Sequence, residues 1–334
     1  MRHRSFVVTS TVILFLVAGV IAGLSFYSAV VVKAQMPGLP EALAYLPADS
    51  QAVFGMNVDR FVQSPIFARF EQQHGQEYGS DLAEFIQKTG VDPRKDIRYV
   101  VAASRPTGEK KGSGVVIAEA HKTFDSVAIT SFISAKTKPI ELKYADAIVL
   151  MIPEQDGSSV EKGIAFLSEK EIALGELAAL KSVLDTRKSG GQSVLNNPVL
   201  GGMLQGINPD DMFWFAGDPT NVLSKAPANT PLGGNLSAIT QVFGTLNLTD
   251  AVDGTVTVTA KDEASATKLA DVARGLVALG QLASDQNPEL AGLVQGITVK
   301  QNIEKITLKL NFPIDVLEKL GHSKPAAAAA KKIA

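Results

Sequence analysis

The sequence predicts an α+β fold of largely antiparallel sheets with packed helices. It is built from a duplicated strand–helix–hairpin–helix–hairpin module behind one N-terminal transmembrane or signal helix. Three observations carry this. Short apolar strands come in pairs across polar turns, as at 140–144 with 147–152 and at 297–300 with 305–310. Helical periodicity falls between those pairs instead of alternating with single strands, so the βαβ rhythm of a parallel sheet is missing. The same order of elements runs twice, with its clearest correspondence between the strand–turn–strand–helix segments 97–135 and 241–283.

The elements follow in chain order. Arg2-His3-Arg4 precedes an uncharged run from Phe6 through Leu14, Gly19 and Gly23 to Val32. As a helix this run is about 40 Å long at ~1.5 Å per residue, which exceeds the ~30 Å hydrocarbon core of a bilayer. That length suits an uncleaved anchor. Its most apolar part, 12–24, suits the core of a cleavable signal, with Val32-Lys33-Ala34 as a small-residue site and cleavage after Ala34. In both readings the basic head stays in the cytoplasm and the body goes out. The body is then anchored to the inner membrane and faces the periplasm or the cell exterior, or it is released into the periplasm. Gly19 and Gly23 form a G-x-x-x-G on one helix face, a spacing that small residues produce in any such segment.

Met36-Pro37-Gly38-Leu39-Pro40 is a stiff spacer, and 41–45 is a short helical turn. A strand at 51–58 leads to Asp59, read as a helix N-cap. Phe61, Val62, Ile66, Phe67 and Phe70 recur at helical spacing across a break at Pro65, and a second helix at 82–89 stops at Gly90. Strands at 97–104 and 114–120 flank a polar turn at 106–112, and a helix follows at 123–135. Two hairpins come next, 140–152 and 163–175, then a helix at 177–185 ending in Arg187-Lys188-Ser189-Gly190-Gly191. The second half opens with a strand at 211–216, Asp218 capping a short helix, and a Pro/Asn/Gly-rich loop at 226–235. A strand at 241–248, a turn at Asp253-Gly254 and a strand at 255–260 follow. In that last strand Val256, Val258 and Ala260 face one way and Thr255, Thr257 and Thr259 the other. The helix 262–284 gathers Leu269, Val272, Ala273, Leu276, Leu279, Gly280 and Ala283 on one face, small enough for close packing on a sheet. A hairpin at 297–310 and a helix at 314–320 close the fold. The implied organisation is 1–34 leader, 35–45 linker, 46–190 first module, 191–209 connector, 210–321 second module and 322–334 disordered tail.

Composition narrows the chemistry. Lys and Arg number 32 against 34 Asp and Glu, and Arg2, Arg4 and Lys33 precede the first acid, so the body is more acidic than the whole chain. That argues against nucleic acid as a partner. Cysteine is absent, which removes thiol catalysis, Cys-based zinc sites and disulfides. A body of this length supplies its own core instead, as cysteine-free exported bacterial chains do. On that reading Asn235-Leu236-Ser237 and Asn247-Leu248-Thr249 are chance matches to a glycosylation pattern.

The remaining motifs favour bland readings. His74 and His121 each stand without a second histidine at i+3 or i+4, so no metal site is expected. Gly112-Ser113-Gly114 leads into a strand, where phosphate binding needs a helix N-terminus. Ser159-Val160-Glu161-Lys162 fits S-x-x-K but lies in a polar loop without partner motifs. Asp210-Asp211, Asp49, Asp59, Asp92 and Asp96 read as turn or cap residues rather than paired catalytic carboxylates. Phe213, Trp214 and Phe215 are read chiefly as strand core, with a ligand-facing role as the alternative. No catalytic, cofactor-binding or metal-binding residue is assigned.

Tyr45-Leu46-Pro47-Ala48-Asp49-Ser50, a strand, and then Asp59-Arg60-Phe61-Val62-Gln63-Ser64-Pro65-Ile66-Phe67 resemble the opening of certain exported bacterial envelope proteins. Those proteins follow a leader with "LPAD", a strand and an "SP" helix. Residues 163–175 are similar to their hairpin that ends in glycine. The resemblance spans short pieces and brings no assigned activity, so it transfers no functional residue. The expectation is a non-enzymatic envelope protein acting by protein interaction or as a scaffold. Its partners are the membrane, through the N-terminal helix, and another envelope protein. The alternatives are a periplasmic protein that binds a lipid or other apolar ligand between its sheets and the helix 262–284, and an exported hydrolase.

Overall fold

The computed structural model describes residues 39–105, 113–153, 161–220, 236–284 and 288–316. The predicted leader (Phe6, Leu14, Gly19, Gly23, Val32 and Ala34 included) lies outside the described residues, as do the turn 106–112 and the tail. No helix among the described residues is long and apolar enough to cross a membrane.

The chain forms α+β architecture around one antiparallel sheet. Its strands are β1 (Ala52–Asn57), β2 (Ile97–Arg105), β3 (Ser113–Ala120), β4 (Ile140–Tyr144), β5 (Ala147–Ile152) and β6 (Lys162–Phe166). They continue with β7 (Glu171–Glu176), β8 (Phe213–Gly217), β9 (Ile239–Leu248), β10 (Ala251–Ala260), β11 (Ile297–Asn302) and β12 (Lys305–Pro313). The order across the sheet is β11-β12-β10-β9-β8-β1-β2-β3-β7-β6-β5-β4. The seam between the halves is the β1–β8 pair, with Phe54 opposite Phe215 and Gly55 opposite Trp214. On either side of the seam, the third strand of each half pairs with the last: β3 with β7, and β10 with β12.

Residue choice follows from what covers each strand. β2 is buried almost throughout, and its run Val100–Ala103 is apolar on both faces. The front face is covered by the 3₁₀ turn Glu41–Tyr45 and by the helices α5 (Leu177–Ser189) and α6 (Leu200–Leu204). Leu180, Leu184, Leu200 and Leu204 pack there against Tyr99, Val101, Ile117 and Trp214. The back face carries α1 (Val58–Val62), α2 (Pro65–Thr89), α3 (Pro93–Asp96) and α4 (Ser126–Thr137). Beyond the seam the back is roofed by α7 (Glu263–Ser284) and α8 (Pro288–Gln295). Over β10 the two faces differ: Val258 and Ala260 pack under α7, while the opposite face carries Thr255, Thr257 and Thr259.

Several expectations need correction. The helices expected near 61–70 and 82–89 are one helix, α2; between them Gln72, Gln73, Gln76 and Ser80 are exposed and need no apolar periodicity. Ser64 caps it, with its Oγ accepting from the Phe67 N–H at 3.3 Å, and Gly90 ends it at φ 71°. Asp59 is not a cap: Asn57 Oδ1 accepts from the Arg60 N–H at 3.1 Å, and Asp59 meets His121 Nε2 at 2.8 Å. Asp253-Gly254 is not a turn. The chain reverses at Thr249-Asp250, and Gly254 lies inside β10, where a Cβ would come within 3.0 Å of the Thr245 carbonyl oxygen. Helix α8 had no counterpart in the sequence reading.

Candidate functional site

The strand β10 ends at Ala260 and α7 begins at Glu263, so the helix must fold back over its own sheet. Asp262 makes that possible by accepting from the Ser265 N–H at 2.7 Å. In its first half α7 lies close to the sheet through Ala266, Leu269 and Ala270, which are all buried. Its second half loosens from the sheet. From Gly275 to Ser284 the helix carries no charge, yet Leu276, Leu279 and Leu282 are 42%, 64% and 67% exposed. The face predicted to be uniformly core is therefore buried only at one end. Helix α8 meets this loosened half closely, since a Cβ on Gly280 would fall 2.9 Å from Val294 Cγ2.

The space beneath is a cavity of about 360 Å³. Leu269, Ala273, Leu276 and Val277 of α7 and Val294 of α8 form its roof. Ile239, Val258, Ile306 and Leu308 form the floor, and Leu236 and Ile297 complete the lining. The floor is one face of the sheet, because Val258 lies opposite Ile306 in the β10–β12 register. Every lining residue is apolar. Such a space can hold hydrocarbon, and it offers no side-chain polar group to orient or activate a substrate.

The predicted aromatic trio is elsewhere. Trp214 is fully buried and its indole N–H donates to the Tyr99 hydroxyl at 2.5 Å. Burial raises the Tyr99 phenol to about 12, although the indole bond works in the opposite direction. Phe213 packs on Phe61 with centroids 5.4 Å apart and on Phe54 at 6.1 Å. Phe215 lies half-exposed against Gly244. None of the three lines the cavity.

The chain matches no protein family and no curated protein. It is similar to TP0453 in two crystal forms. Form III is 9% identical over 84% of this chain and 97% of that one, with a TM-score of 0.49. Form I is 8% identical over 86% and 98%, with a TM-score of 0.47.

Several of the other predicted polar residues make local contacts. Asp92 and Asp96 build the entry to α3, where Asp92 Oδ1 accepts from Arg94 Nε at 3.0 Å and Asp96 Oδ2 from the Asp92 N–H at 2.6 Å. Burial opposes ionisation of Asp92, but bonds from Arg94 and Lys95 outweigh it and hold the carboxyl below its ordinary range. Asp49 pairs with Arg105 and Asp211 Oδ1 accepts from Asn247 Nδ2 at 2.9 Å. Among the described residues no three His, Asp or Glu converge as a metal site. Of the cavity, the sequence reading held Leu269, Ala273 and Leu276. It also placed Val258 on one face of its strand, but it did not single out Val294, Ile239, Ile306 or Leu308.

Proposed function

We propose that this protein is an exported envelope protein that holds an apolar ligand, as a hydrocarbon chain, between α7, α8 and the sheet. The observation that supports this reading is the all-apolar lining of the 360 Å³ cavity. Its size falls at the lower end of ~300–1,000 Å³ small-molecule sites. Each methylene moved into it from water contributes about 0.8 kcal/mol. The export reading draws on Arg2, Arg4 and the uncharged run Phe6–Val32, which also makes the membrane a partner. The two halves are taken as copies of one module, on the matching β3–β7 and β10–β12 closures. A second reading, docking of a partner protein in the envelope, draws on the exposure of Leu279 and Leu282.

Native mass spectrometry on the full chain, purified gently from its own membranes, tests the first reading. A small extra mass that leaves on denaturation is expected. Ala273→Trp, which fills the cavity from its roof, should abolish both that mass and binding of a fluorescent long-chain probe. Absence of any ligand mass together with undiminished probe binding by Ala273→Trp would overturn the proposal. Recovery of a defined protein complex instead would favour the second reading.

A further inference from the structure

The front face holds two carboxylates that the cavity does not use. Glu119 on β3 and Glu171 on β7 are directly opposite each other in the strand register. Opposed residues of an antiparallel pair share a face, with Cβ atoms about 5 Å apart. Glu171 is only 5% exposed, and the Glu119 side chain 12%. Glu119 Oε1 accepts from Arg98 Nε at 3.0 Å. The other oxygen of Glu119, Oε2, and Oε1 of Glu171 are both buried without a hydrogen-bond partner. Two orphaned acceptors cannot satisfy each other, and leaving a buried acceptor unpaired is destabilising.

We propose that Glu119 and Glu171 bind one proton between them, with Glu171 donating to Glu119 Oε2, so that a single hydrogen completes both groups. The charges around the pair fit this assignment. The 3₁₀ turn presents Glu41 and Tyr45 to Glu171, which adds negative charge and a phenol. Helix α5 presents Arg187, whose charge is shared with Asp146 and whose guanidinium also donates to the Leu167 carbonyl. Strand β2 presents Arg98, which is committed to Glu119. Burial raises the Glu171 carboxyl above its ordinary range, and Glu119 and Glu41 push it further the same way, against Ser168 and Arg187. Because Arg98 is already committed to Glu119, the shared hydrogen is assigned to Glu171. The site is a proton-binding pair beneath the 3₁₀ turn Glu41–Tyr45.

The sign of the pH dependence follows. An acid whose pKa is raised by folding stabilises fully below its unfolded pKa, and that stability is lost as pH rises through the folded value. The experiment is infrared spectroscopy of the full chain, with thermal unfolding followed over the same pH range. A protonated-carboxyl band is expected at neutral pH in the native protein, absent in Glu171→Gln and present in Glu176→Gln, a change on the same strand. The Tm should fall with rising pH in the native protein, and fall less over the same range in Glu171→Gln. Should Glu171→Gln not fold, the native band and its loss on raising pH decide alone. No protonated carboxyl at neutral pH overturns the proposal. So does an alkaline Tm that is restored by sodium but not by choline, since a metal cation would then fill the gap.

Discussion

Gly55 sits where a side chain would enter the indole of Trp214: a Cβ there would come within 2.1 Å of the ring. The tryptophan cannot retreat, because it is fully buried and tied to Tyr99. Gly55→Ala should therefore destabilise by about 1–3 kcal/mol through overpacking, read from denaturant unfolding with Trp214 fluorescence. Asp92 offers a pH-dependent test. Its carboxyl is held below the ordinary range, so its stabilisation is present above the unfolded pKa and fades as pH falls through the folded one. Asp92→Asn should be less stable than the native protein at neutral pH, and the gap should close on acidification. A gap that persists at acid pH would mean that packing, not charge, sets the role of this residue.

At the scale of elements, α7 divides into two halves with different sensitivities. Leu269→Ala in the buried half should cost about 2–5 kcal/mol, whereas Leu279→Ser and Leu282→Ser should each lie within about 0.5 kcal/mol of native. Calorimetry on the three variants separates these outcomes. At the end of α2, Gly90→Ala should cost about 1 kcal/mol, since its φ of 71° disfavours any side chain. These elements were unevenly legible. Hairpins such as β4–β5 and the alternation of β10 could be read because strand pairing there is local and one face is wetter than the other. The Asp253-Gly254 pair misled because a glycine demanded by the nearby Thr245 carbonyl looks the same in sequence as one demanded by a turn. Helix α8 escaped because its short run, Pro288–Gln295, is broken by Gly292 and has too few turns to establish a period. The cavity was half legible for the same reason: its roof lies on a long periodic helix, and its floor is assembled from strands distant in sequence.

For the whole molecule, the decisive contact is the β1–β8 seam, which joins residues about 160 positions apart and leaves no local trace in the sequence. It makes the two halves one hydrogen-bonded sheet with a continuous back-face core through Phe61 and Phe213. Unfolding should be a single transition, coincident by Trp214 fluorescence and far-ultraviolet circular dichroism. Two separated transitions would show that the halves hold themselves together independently. The sheet is also open. Among the described residues nothing pairs with the outer side of β4 or β11, so each rim offers a row of amide and carbonyl groups to any passing strand. Each rim carries an exposed lysine, Lys143 on β4 and Lys300 on β11. Charge on an edge strand disfavours edge-to-edge stacking into fibres, so replacing both lysines, Lys143→Ala with Lys300→Ala, should turn a clear solution into one that scatters light.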